Sequence, residues 1–429
     1  MKRYAICGVS GRGIWMFVHP LATKFAATAK LVAMLDKDPL RFDVCRKQVP
    51  QAAGIPTYSD AEFDRMVAET KPDTVIVAGA DHSHARYVLA ALAKDLDVIV
   101  EKPMTTNAAD ARRILEAEAR SKGRVTVTFN YRYPAVHRKL KELMLKGVVG
   151  RVTSVDLNWY IDTYHGASYF KRWNRTRAGS GGLSLHKCSH HFDLVHWLLD
   201  QAPVEVFAYG GLNYFGPNGP MNPRKAEGRH CSDCPDRPNC AYEMRWFPDR
   251  AKAEAAAAPK DDHLGSAALA PKSYTDYRPD MCIFDSAIDI EDTYTAVIKY
   301  DKGAIASYSV NYSQPYEGYR LAINGTLGRI ETQEFHAPSR VPFPTPEQTI
   351  TYLPLFGGAK ETIHALQGEG GHGGGDPLLQ EDLFMGPDPH RSYDIMAGAK
   401  AGALAVALGE GVWRSVGSGG PVRIADLLG

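Results

Sequence analysis

Lys2-Arg3-Tyr4-Ala5-Ile6-Cys7-Gly8-Val9-Ser10-Gly11-Arg12-Gly13 opens on an apolar run and passes at once into a glycine-rich turn. Residues 3–7 read as a strand. Gly8-Val9-Ser10-Gly11-Arg12-Gly13 then reads as a phosphate-cradling turn that leads into a helix, with Ser10 in place of the middle glycine. Gly8 makes the turn and Gly13 lets the helix pack on the strand. Ser10 is small enough for the backbone to approach a pyrophosphate, whose charge is met by amides at the helix N-terminus. Gly8, Ser10, Gly11, Arg12 and Gly13 are therefore the first expected cofactor contacts.

Glycine turns between strand and helix are common, so this one gains its weight from the next strand. Lys30-Leu31-Val32-Ala33-Met34-Leu35-Asp36 is that strand, ending in a carboxylate 28 residues after Gly8. An acid near this distance accepts both ribose hydroxyls, which favours NAD. Lys37 and Arg41 are placed to receive a 2′-phosphate, which keeps NADP open. Further apolar strands are expected at 72–80, 98–100 and 125–129, with helical spacing at 60–70, 83–94 and 107–121. This alternation implies right-handed crossovers and an α/β, Rossmann-type doubly wound parallel sheet. Function gathers at the strand ends of such a sheet, so Gly79, Ala80, Asp81, His84, Glu101, Lys102, Asn130, Tyr131 and Arg132 should line one crevice.

Glu101-Lys102-Pro103 after an apolar strand, downstream of the glycine turn, resembles the Gfo/Idh/MocA oxidoreductases, which include glucose-fructose oxidoreductase and inositol dehydrogenase. The match extends through most of the chain. The resemblance implies Lys102 beside the nicotinamide and the reacting hydroxyl, a cis peptide before Pro103, and a dimer or tetramer built through an open sheet.

The division expected is 1–130 for dinucleotide binding, 131–393 for an α+β substrate domain with a cysteine-containing insertion at 213–281, and 394–429 for a helix and tail returning to the first domain. Strands near 152–159, 204–210, 292–300, 303–312, 318–323 and 328–333 suggest a large, mainly antiparallel sheet. In Gly181–Leu199 the apolar residues keep helical spacing, and His186, His190 and Asp193 fall at i, i+4 and i+7, with Lys187 and His191 on the adjoining stripe. Alcohol oxidation needs a base of near-neutral pKa, which histidine supplies, and a nearby ammonium favours the alkoxide. The segment resembles the family helix Asp-x-x-x-His-x-x-Asp, with His186 standing where the first aspartate is usual. Lys102, His190 and Lys187 are thus the expected catalytic groups, with His186 and His191 toward substrate. A structural His190 held by Asp193 is the alternative. Tyr164, Trp173 and Arg172 belong to an aromatic and basic run suited to sugar faces and hydroxyls, and Arg172-Trp173 resembles the family pair that closes over the nicotinamide.

Three cysteines at Cys231, Cys234 and Cys240, with Cys282 beyond the insertion, suit a structural zinc, a disulfide or free thiols, and less well an iron–sulfur cluster. Ala251–Pro271 is alanine-rich and low in complexity. Gly370–Asp376 reads as a flexible loop, or as backbone approaching something closely and bringing His372 and Asp376 to the pocket. The 50 basic and 49 acidic residues and net charge of +1 give no field for nucleic acid or an anionic membrane. No apolar run reaches 18 residues, so a soluble, cytoplasmic chain is expected. The function expected is NAD-linked oxidation or reduction of a sugar or polyol carbon. A glycosidase that oxidises transiently, or a non-catalytic sensor, uses the same parts.

Overall fold

The computed structural model describes residues 1–223, 228–237, 240, 242, 279–365, 368, 371–391 and 393–429. The alanine-rich stretch 251–271 and the side chain of His372 lie outside the described residues.

Six parallel strands build the first sheet: β1 Lys2–Cys7, β2 Ala29–Leu35, β3 Thr57–Tyr58, β4 Thr74–Val77, β5 Asp97–Val100 and β6 Val125–Val127. Strands β1 and β4 are buried where they pair, as a sheet covered on both faces requires. Helices Phe63–Thr70, His84–Leu92 and Ala108–Arg120 connect them close to the expected positions. The order β6-β5-β4-β1-β2-β3 reverses direction between β4 and β2, leaving the crevice at the end of β1.

The second sheet contains β7 Val152–Asp162, β8 Pro203–Gly211, β9 Thr293–Tyr300, β10 Ile305–Gln314, β11 Glu317–Gly325, β12 Gly328–His336, β13 Thr349–Pro354 and β14 Glu361–His364. Two late strands close the sheets. β15 Ala397–Gly398 pairs antiparallel with β6 in the first sheet, and β16 Val422–Arg423 pairs with β8 in the second. The second sheet is antiparallel apart from β7 beside β10. Its strands alternate, so one face buries Trp159, Tyr294, Tyr308 and Tyr319 while Thr295, Val297 and Lys299 stay outside. The buried face receives helix Cys188–Leu199, and His191 stacks flat on Trp159 with ring centres 3.7 Å apart.

The structure corrects two expectations of local form. The helix expected across 183–199 divides into Leu183–His186 and Cys188–Leu199. At the joint the His190 amide donates to the Lys187 carbonyl (3.3 Å), and the His186 carbonyl receives the Lys102 ammonium (3.2 Å). The glycine run at 371–375 is helical rather than a loop, opening helix Gly371–Met385. Low propensity is overridden there by close approach: a Cβ on Gly375 would stand 2.7 Å from the Asn130 carbonyl.

Candidate active site

The glycine turn is set by contacts that exclude side chains. Gly8 takes φ +100°, and a Cβ there would lie 2.2 Å from the Gly79 amide nitrogen; one on Gly13 would meet the Gly8 carbonyl at 2.6 Å. Ser10 fastens the loop from the middle, its hydroxyl donating to Ala78 O (3.0 Å) and accepting from Gly13 N (3.0 Å). Gly11 and Arg12 start the helical run, whose first amides lack intrahelical acceptors. Asp36 sits just past β2 and accepts from the amides of Val9 and Asp38. Burial pushes its carboxyl up, opposed by those amides and by Arg41. Close backbone, helix N-terminus and carboxylate converge as a dinucleotide requires. Gly8→Ala is expected to lower NAD affinity at least tenfold, since left-handed backbone alone costs about 1–2 kcal/mol for alanine and the Gly79 backbone blocks the methyl. Fluorescence titration with NADH measures this.

Lys102, following β5 with a cis peptide to Pro103, projects between the sheets. Burial is the main force pulling its ammonium down to about 8; Lys187 pulls the same way and Asp81 opposes. The carbonyl that holds Lys102 belongs to His186, whose ring is itself committed. Its Nδ1 faces the Asp81 carboxylate at very short range and its Nε2 lies 3.1 Å from the Asn174 amide. Burial lowers the His186 pKa against the pull of Asp81. His186 therefore positions Asp81 and Lys102, a correction to its expected place against substrate. Trp173 puts its ring edge on His186 (5.8 Å), and Arg172 bonds the Ser168 carbonyl and hydroxyl. His190 is 4% exposed and packs on Tyr131, with ring centres 4.9 Å apart. Lys187 reaches over the same Tyr131 ring from 5.9 Å. Lys187 and His190 thus meet on the Tyr131 ring, and Lys102 is near enough to Lys187 to feel its charge.

Several expected contacts prove to be internal supports. Arg132 is bound through two nitrogens to Asp193 (2.8 and 2.6 Å) and donates to the Asp394 carbonyl, so neither partner faces substrate and Asp193 does not hold His190. His191 gives its Nδ1 to the Tyr308 hydroxyl (2.7 Å) inside the core, and burial drives its pKa well down. His84 ties the Pro103 and Gly79 carbonyls together instead of touching cofactor. Arg12 pairs with Glu101 and, through both terminal nitrogens, with Asp376, which Asn130 also bonds. Asp376 is thereby anchored to the cofactor turn. Tyr164 lies under the Arg340 guanidinium, 5.2 Å away.

A charged group that sequence reasoning missed stands beside Lys187. Glu317, 5% exposed, faces His165 (2.8 Å), His336 (3.6 Å), Arg340 (3.8 Å) and Lys187 (3.9 Å). Burial alone would raise its carboxyl, yet the hydrogen bonds and charges of its partners, His165 first and then His336 and Lys187, hold it well below the usual range. Glu334 and Glu317 outweigh burial at His336 and lift it to about 9. Tyr169 bonds the far nitrogen of His165 (2.8 Å), extending the network. Glu317 and His336 begin and end a hairpin of which the strands 318–323 and 328–333 were visible in sequence, without any sign of this charge.

Among the described residues no helix is long and apolar enough to cross a membrane, and no group of three or more His, Cys, Asp or Glu stands ready to hold a metal.

Comparison with known proteins agrees with this geometry. Residues 2–129 match the family model for the NAD-binding Rossmann fold of an oxidoreductase family, and residues 141–424 match that family's C-terminal alpha/beta domain. A Bacillus subtilis (strain 168) protein named as the oxidoreductase YteT is 58% identical over 429 residues, covering 100% of this chain and 99% of its own. The inositol 2-dehydrogenase of Rubrobacter xylanophilus is 27% identical over 216 residues, 49% of this chain and 56% of that protein. Levoglucosan dehydrogenase, solved with NADH and levoglucosan, superposes with TM-score 0.65 at 14% identity, covering 99% of both chains. With both halves matched and the dinucleotide turn in place, the chain belongs to the Gfo/Idh/MocA family of NAD-binding oxidoreductases.

Proposed function

We propose that the protein moves a hydride between NAD and a secondary alcohol or ketone carbon of a sugar, glycoside or polyol, with Lys102 and His190 sharing the proton. The observation that carries this reading is Lys102 itself, partly buried, drawn down to about 8 and held by the His186 carbonyl, with Lys187, which acts on its charge, and His190 both packed on Tyr131. The inositol 2-dehydrogenase relative lends support, since its named substrate is a polyol. Bound NAD supplies the hydride acceptor. His190 takes the hydroxyl proton as the carbon hydrogen leaves, and the Lys102 ammonium holds the developing alkoxide. Lys187 binds a neighbouring hydroxyl, and Trp173 offers a ring face to the sugar.

The test is NADH absorbance with NAD and a panel of polyols, aldoses and glycosides, followed by product analysis. A keto product formed in step with NADH is expected. Glycoside cleavage without net NADH would instead establish transient oxidation followed by elimination, and binding without turnover a sensor.

Asp36 makes NAD the preferred form. A 2′-phosphate beside this carboxylate meets like charge, a penalty of several kcal/mol, so kcat/KM should favour NAD over NADP by at least about 100-fold. Asp36→Ser should narrow the ratio, with Lys37 and Arg41 then free to attract the phosphate. Equal use of both cofactors by the unaltered protein would remove Asp36 from this role. Copies of the chain are proposed to meet on the uncovered face of the second sheet, where Tyr209, Val297 and Ile305 are exposed. Light scattering at the mass of one chain would reject that.

A further inference from the structure

The three cysteines of the insertion and Cys282 just beyond it have no part in hydride transfer, yet the fold gathers them. His230 and Met281 form an isolated antiparallel bridge. Around it Cys231 N donates to Asp280 O (2.7 Å) and Cys282 N to Arg229 O (2.8 Å), which sets Cys231 and Cys282 on adjacent strands. A 3₁₀ turn over Cys231–Asp233 returns Cys234 to the same side, and the Cys240 amide closes a second turn on Arg237 O (3.3 Å). Cys231, Cys234, Cys240 and Cys282 all line one recess, together with Arg229 and Arg237; all four are of intermediate exposure and none is joined in a disulfide.

We propose that Cys231, Cys234, Cys240 and Cys282 bind one zinc ion as four thiolates, and that this knuckle fixes the segment carrying Arg172 and Trp173. The donors around the sulfurs suit thiolates: the Phe284 amide points at Cys282 Sγ (3.4 Å) and Arg229 at Cys234 Sγ (3.9 Å). Four thiolates around Zn²⁺ carry net charge −2; Arg237 lines the same recess, and Arg229, paired with Asp236, reaches Cys234 Sγ. Four S–H protons pass to solvent and four Zn–S bonds replace the ion's water ligands, with no change of oxidation state. The described side chains do not yet stand at coordination distance, so binding draws the sulfurs inward across the recess. A tetrahedral ion would tie the two short turns and the single bridge together.

The knuckle grips both ends of the active-site segment. Met281 N donates to Lys171 O (3.1 Å), and Lys171 extends over the Tyr242 ring at 4.8 Å. At the other end Arg175 pairs with Asp285 (3.3 Å), both nearly fully buried, while Asp285 also accepts from the Gly228 amide (2.8 Å). Arg172 and Trp173 lie between these anchors.

The metal part is independent of the proposed reaction, and the positioning part rests on it. Protein purified without added metal or chelator is analysed by plasma mass spectrometry and thiol titration. One zinc per chain is expected, released when a mercurial caps the thiols. Cobalt in its place should give the intense thiolate-to-cobalt absorption of a tetrahedral sulfur site. Cys231→Ser and Cys282→Ser should each lose most of the metal. If they remain folded by circular dichroism, KM for the alcohol should rise several-fold with NADH affinity kept; if they do not, the metal content and cobalt spectrum of the unaltered protein still decide. Disulfides by mass, iron with sulfide, or four freely titrating thiols without metal would each overturn the zinc site. Bound zinc with unchanged KM in folded variants would overturn the positioning role alone.

Discussion

Lys102→Met should cut kcat for alcohol oxidation by about 10²–10⁴-fold, the range typical of a lost acid–base group, while NADH affinity changes by no more than about threefold. The asymmetry follows from where the lysine points. Its ammonium is held by the His186 carbonyl, away from the Gly8 turn and Asp36, where the dinucleotide is gripped. Methionine keeps the length and removes the charge, leaving one carbonyl without its donor, a loss on the order of 1 kcal/mol in stability. The pH profile gives a second readout. With a value of about 8, Lys102 is cationic below that pH and neutral above it. If the ammonium holds the alkoxide, kcat/KM for oxidation falls as pH rises through about 8, and the falling limb disappears in Lys102→Met. A profile that climbs through the same region to a plateau would make Lys102 the base and remove His190 from that task. Loss of NADH binding in the variant would end the catalytic assignment altogether.

What could be read before folding was what repeats or ends a strand. The alternation of β1 to β6 with helices needs only local period, and Gly8, Ser10, Asp36 and Lys102 each sit at the close of an apolar run, where a parallel sheet puts its crevice. The failures share a cause: a partner far along the chain. His186 looked like a substrate ligand because Asp81, 105 residues earlier, could not be seen facing it. Glu317 and Lys187 are 130 residues apart, so the network that joins them could not be seen in either segment alone. The glycines before Asp376 left a flexible loop and a close approach both open by propensity, and the Asn130 carbonyl with the Tyr133 and Pro134 side chains takes up the space that their missing side chains leave. Periodicity placed His190 and Asp193 on one helix face, but a face has neighbours on either side, and Asp193 is turned to Arg132.

Arg132 is accordingly expected to matter for stability and hardly at all for substrate. Its side chain is 6% exposed and that of Asp193 1%, and the guanidinium meets both carboxylate oxygens. It also donates to Asp394 O and lies 5.8 Å from the Trp197 ring, joining the strand end after β6 to helix Cys188–Leu199 and to the chain entering β15. Arg132→Met leaves the Asp193 charge buried and unpaired, which should cost about 3–5 kcal/mol. Asp193→Leu added to it removes the stranded charge, so the double variant should regain most of the loss in a denaturant-unfolding cycle. The pH dependence has a definite sign. Burial already lifts the Asp193 carboxyl, with Arg132 pulling against it; without Arg132 the folded-state value rises further above the unfolded one. The folded variant then binds a proton that the unfolded chain does not, so its deficit is full above the folded-state value and shrinks as pH falls through it. In the folded fraction KM for the alcohol should match that of the unaltered protein. A raised KM with undiminished stability would return Arg132 to the substrate pocket and make its pairing with Asp193 incidental.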